Sequence, residues 1–160
     1  MKTLIPFLLY GLPENYLLIL AALFLLGLKI RGDRLLVLLV AGLCLGIFSY
    51  FARMFLFDLG LHTLAILFGL ILTLVFWFKL SINTAVTGCF LSFFLLIMGE
   101  SLVLSPILNL TRIPYEKMIS NPWLHIALGW TSEVFLVIAI LAGLFGGFSL
   151  LKAPEASKRV

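Results

Sequence analysis

Between Thr84 and Pro106 the chain carries a single charged side chain, the carboxylate of Glu100. An ionisable group at membrane depth is expensive and tends to mark a function, so the other polar residues are judged by whether they can meet it. Glu133 lies in a second long apolar run, Arg53 ends an earlier one, and His62 and His125 each stand near the start of another. In one arrangement these five residues form an outer polar pocket, in which Arg53 neutralises Glu100 or Glu133. The second acid is then free to hold a proton or a cationic ligand. In the other, an Arg–Glu pair only fixes helix register. His62, His125, Glu100 and Glu133 have the ligand chemistry for zinc but no spacing motif, so neither a metal nor a cofactor is expected. There is no phosphate-binding loop, no histidine–glutamate protease motif and no serine in a nucleophile elbow. The expectation is therefore a non-enzymatic protein.

The surroundings of these groups decide the class of fold. Of 160 residues, 63% are hydrophobic and 11% charged, and the mean hydropathy is +1.23. A water-soluble domain has roughly a quarter of its residues charged. One crossing of a bilayer takes about 20 apolar residues, and the chain has length for about five. The fold expected is an all-α integral membrane bundle. The net charge of +4 resides in short connections, without a basic face or an aromatic-lined groove. Lipid headgroups are its expected partners and nucleic acid is not. Cys44 and Cys89 fall inside apolar runs and read as buried thiols rather than a disulfide.

Residues 1–12 read as a surface or re-entrant lead-in, 13–151 as one transmembrane bundle, and 152–160 as a tail. A first helix is expected from Pro13 to Leu28, with Glu14 favourably placed at the positive end of its dipole. A second runs from Leu35 to about Met54 and a third from His62 to near Leu80. The fourth runs to about Leu104, where Pro106 stops it. A fifth starts at Pro122 and runs to about Leu151, leaving 105–122 as the longest polar stretch. Trp123 and Trp130 suit the interfacial aromatic belt.

Small residues recur at the spacing that lets membrane helices approach closely. They are Gly42 and Gly46, then Gly88, Ser92 and Gly99, then Gly143 and Gly147. Five crossings place Lys29, Arg31, Arg34, Lys79, Lys152, Lys158 and Arg159 on one side. Lys2, Arg53, Arg112 and Lys117 fall on the other. The positive-inside rule then puts the C-terminus in the cytoplasm and the N-terminus outside. At ~1.5 Å per residue, Glu100 lies roughly 6 Å from the outer boundary at Leu104.

Several short motifs occur in a familiar order. Leu12, Pro13 and Glu14 open the first helix, and Gly27 precedes a basic loop. Gly60 to Thr63 lead into the third helix, Gly99 and Glu100 close the fourth, and Asn121, Pro122 and Trp123 begin the fifth. This order resembles the N-terminal membrane domain of GHKL-type sensor histidine kinases of Gram-positive bacteria. The resemblance implies a receiver for an external or membrane-derived cue. In that family a kinase domain follows the last helix, whereas only Lys152 to Val160 follow it here. Any kinase would come from a partner.

The function expected is a sensing or regulatory module of the cell membrane. It would take a small or hydrophobic cue in the outer pocket and pass a helix shift to a protein partner, a kinase or another membrane subunit. The alternatives are a carrier that uses Glu100 and Glu133 as ligands, and a structural subunit of a larger membrane complex.

Overall fold

The computed structural model describes residues 4–28, 32–56, 61–146 and 150. Its described residues are helical with short connections and contain no strand. The helices are α1 (Leu4–Leu25), α2 (Leu35–Leu56), α3 (His62–Phe76), α4 (Ile82–Thr111), α5 (Tyr115–Ser120), α6 (Pro122–Ser132) and α7 (Val134–Gly146). By length and composition α1, α2 and α4 can each cross a membrane, and α6 with α7, bent by 46°, has the length and composition of a fourth span if the pair is taken as one. The shorter α3 is also apolar.

α1 is the axis of the bundle. Its Leu18, Ile19, Ala21, Ala22 and Leu23 are fully buried, and its side chains enter glycine gaps on the helices around it. Leu12 and Tyr16 press on Gly46 and Gly42 of α2, and Leu26 just beyond α1 presses on Gly88 of α4. Tyr10 meets Gly129 of α6, and Phe24 meets Gly143 of α7. Hydrocarbon supplies little solvophobic drive between helices, so close van der Waals packing at small residues has to do that work. α1 ends at Gly27, whose φ of 72° lets the Leu28 amide turn back to the Leu23 carbonyl, a left-handed helix stop that suits glycine.

Large apolar side chains cover the outside, among them Leu36, Phe55, Leu64, Phe68, Phe94 and Phe145. Glu14, Asn15, Ser49, Thr73, Ser92, Ser132 and Glu133 are buried. Polar-in and apolar-out is the arrangement that hydrocarbon favours and water penalises. Cys89 is buried, but Cys44 is exposed on the outside of α2 and does not pack inside as its apolar run suggested.

Several helix bounds differ from the sequence reading, each for a local reason. α1 starts at Leu4 rather than Pro13 because a wide turn at Phe7–Gly11 carries the helix past the proline. There the Leu12 amide bonds the Phe7 carbonyl, five residues back. α4 repeats the device. The Ser105 amide bonds the Glu100 carbonyl, the helix continues through Pro106, and it ends at Thr111 with Arg112 left-handed. Widened turns of this kind relieve the clash that a proline ring makes with the preceding turn. Residues expected to be a polar connection are thus the end of α4 and the short α5. α3 ends at Phe76, not near Leu80. The helix expected from Pro122 breaks at Glu133, and residues 151–160, including its expected end at Leu151, lie outside the described residues.

Candidate functional site

Both widened turns and the helix break lie toward the same end of the bundle, where they bring the polar residues together. In α1, Pro13 has no amide hydrogen for the Leu9 carbonyl. The Trp130 indole of α6 supplies one instead, donating to Leu9 at 3.2 Å. The Asn15 amide donates to the Gly11 carbonyl at 2.6 Å. With these two carbonyls satisfied, the widened segment can turn Tyr10 and Glu14 inward, although the buried Asn15 Oδ1 meets no hydrogen-bond partner.

Glu14 is the residue that the sequence reading did not assign to the site. Arg53 of α2 donates to its Oε2 at 2.6 Å. Arg53 therefore neutralises Glu14, not Glu100 or Glu133. The Glu14 side chain is 7% exposed and that of Arg53 35%. The topology carried a signal for this pair: Glu14 begins one expected helix, and Arg53 ends the next, antiparallel one, at the same side of the bundle.

A cavity of about 650 Å³ opens beside the ion pair. Arg53, Glu14, Glu100, His62, His125 and Tyr10 all line it. Aromatic and aliphatic side chains complete the wall. Phe7 and Tyr50 hold a tilted contact with ring centroids 4.8 Å apart, and Tyr10 and His125 one at 5.6 Å. Volumes of roughly 300–1,000 Å³ with mostly apolar walls and a few converging polar groups are typical of small-molecule sites. A second cavity of about 400 Å³ shares Glu100, Leu104 and Tyr115 with the first. Glu100 is exposed, and among the described residues no ion pair or hydrogen bond engages its carboxylate.

Glu133 is not part of the cavity wall. It stands at the break between α6 and α7, is 1% exposed, and neither of its oxygens meets a hydrogen-bond partner. The Tyr10 hydroxyl nevertheless approaches it, and Glu14, Glu100 and Arg53 lie within its electrostatic reach. The break is braced by Gly99, where a Cβ would overlap the Ser132 carbonyl. Ser132 donates to the Gly129 carbonyl at 2.6 Å, and its hydroxyl lies 3.4 Å from that of Tyr10.

Of the residues expected to pack helices, Gly42, Gly46, Gly88, Gly99 and Gly143 all stand at close interhelical approaches. Ser92 is fully buried and donates to its own helix at Cys89. Gly147 lies outside the described residues. Gly129, which receives Tyr10, has no small residue four positions away to draw notice, and Gly69, which receives Phe48, was missed although Ala65 and Thr73 stand at that spacing. No cluster of three or more metal-ligating side chains occurs among the described residues.

No known protein family, no curated protein and no solved structure matches the chain.

Proposed function

We propose that this chain is a non-enzymatic, multi-pass module of the cell membrane that receives a small amphipathic ligand and relays its presence to a protein partner. The observation that carries the reading is the 650 Å³ cavity with an ion pair and a free carboxylate on its wall. In this reading the bundle crosses the membrane five times with its N-terminus outside, so the cavity faces outward. The resemblance of its short motifs to sensor histidine kinase membrane domains agrees with a receiver role, and the partner proposed is a kinase or another membrane subunit.

The packing supports the relay. Gly99 and Ser132 join the cavity end of α4 to the break above α7, and Gly143 of α7 rests on Phe24 of α1 at the far end. A ligand that moves the Glu100 turn therefore bears on α7. The far end of the bundle is a core of Leu23, Leu70, Leu74, Phe78 and Leu136. That apolar core weighs against a carrier, which needs a polar path through it.

Spin labels at Lys79 and Phe145, both exposed toward the far end, report the relay without any ligand. Arg53→Gln is expected to change the distance distribution between them. An unchanged distribution contradicts the relay, and cross-linking in native membranes that traps no partner chain contradicts the regulatory role.

A further inference from the structure

The charges around the cavity do not balance, and the imbalance has a sign. Arg53 is committed to Glu14 at 2.6 Å. His62 and His125 both stand within electrostatic reach of that pair. Glu133 adds a further buried acid behind the wall, and both Glu14 and Arg53 act on it. Glu100 remains, exposed on the wall common to both cavities; Arg53 and Glu14 both lie within its electrostatic reach, but among the described residues no cation forms an ion pair with it. A lone carboxylate in apolar surroundings is stabilised by a proton or by a cation brought to it.

The rest of the wall says what kind of cation. Ser49, Thr63 and the two histidines also reach the wall, but Phe7, Tyr50, Phe93, Ile66, Leu96 and Ile97 make much of it aromatic or aliphatic. They offer aromatic faces that attract an organic ammonium and aliphatic surface that favours an apolar body. We infer that the cavity takes a lipophilic organic monocation, its ammonium group on Glu100 and its apolar part against Phe7, Tyr50 and Phe93. This rests on the ligand-receiving reading above and gives that ligand its chemical class. The Glu14–Arg53 pair keeps its own balance and sets the far polar limit of the site. The second cavity, beside Leu104, Leu108 and Tyr115, gives a longer ligand room beyond Glu100.

Three probes of one shape separate charge from hydrophobicity: 4-phenylbutylammonium, 4-phenylbutanol and 4-phenylbutanoate. Binding isotherms are measured with the full chain in lipid nanodiscs, and empty nanodiscs supply the partitioning background. The ammonium is expected to bind roughly tenfold or more tightly than either partner, as a charge-assisted contact supplies. That preference is lost in Glu100→Gln and kept in Glu100→Asp. It is also kept in Glu116→Gln, at an exposed acid outside the cavity wall. Equal binding of all three probes overturns the inference and leaves a cavity that selects only for apolar bulk. Preference for the carboxylate overturns it in favour of Arg53 as the anchor. Absence of binding by all three overturns both the inference and the ligand-receiving reading, whereas the spin-label distances test the relay separately.

Discussion

Removing Arg53 should destabilise the bundle through Glu14 and not through Glu100. Arg53→Ala leaves the Glu14 carboxylate, 7% exposed, without its cation in an apolar interior. Breaking a fully buried ion pair from one side costs about 3–5 kcal/mol. Here the Arg53 side chain is 35% exposed, and cavity water can reach what remains. The expected cost is therefore nearer ~2 kcal/mol, in keeping with the ~1–2 kcal/mol of strong polar contacts between membrane helices. Glu14→Gln should cost less, because the guanidinium left behind faces the cavity. The decisive quantity is the coupling in double-mutant cycles. Arg53→Ala with Glu14→Gln should cost about 1 kcal/mol less than the sum of the singles. Arg53→Ala with Glu100→Gln should be additive within ~0.5 kcal/mol. Reversible unfolding in mixed micelles, followed by far-ultraviolet circular dichroism, supplies the free energies. A larger coupling to Glu100 than to Glu14 would refute the pairing.

Other parts of the site give sharper, smaller tests. Gly99→Ala drives a methyl group into the Ser132 carbonyl, and backbone cannot swing aside, so a loss of ~3 kcal/mol is expected in the same assay. Gly146→Ala, with nothing within 4 Å of its Cβ position, should not destabilise. Trp130→Phe removes the donor to the Leu9 carbonyl and should cost ~1 kcal/mol. In a Pro13→Ala background the restored amide can serve that carbonyl, and the cost of Trp130→Phe should shrink. Glu133→Met replaces a buried carboxyl that has no hydrogen-bond partner and should raise the unfolding free energy by ~1 kcal/mol or more. A lower midpoint would show that the carboxyl is satisfied in the bundle.

Much of the architecture was readable from the chain because hydrocarbon imposes simple rules. Apolar runs of spanning length mark helices, and their alternating direction sends Arg53, His62, Glu100 and His125 toward one end. The small residues at 42, 46, 88, 99 and 143 mark close approaches because little else lets two backbones come together. Glu14 escaped because a carboxylate at a helix start has a local explanation in the dipole, and that explanation hid the long-range one. The widened turns escaped because composition reports that a segment is helical, not whether its amides bond four or five residues back. Pro106 was therefore read as a stop, although a widened turn lets the helix pass it. The break at Glu133 has no proline or glycine to announce it. It stands beside the close approach of Ser132 to Gly99 on another helix, a tertiary contact that no local pattern encodes.

The account turns on Glu100 facing a cavity that outside water can reach. With Cys44 and Cys89 first replaced by alanine, Glu100→Cys places a thiol on that wall. The measurement is its rate of modification in intact cells by a membrane-impermeant thiol reagent. Rapid modification from outside is the predicted result, with Ile140→Cys in the buried core unreactive. A thiol at position 100 that reacts no faster than the one at position 140, or only after the inner face is exposed, would contradict it.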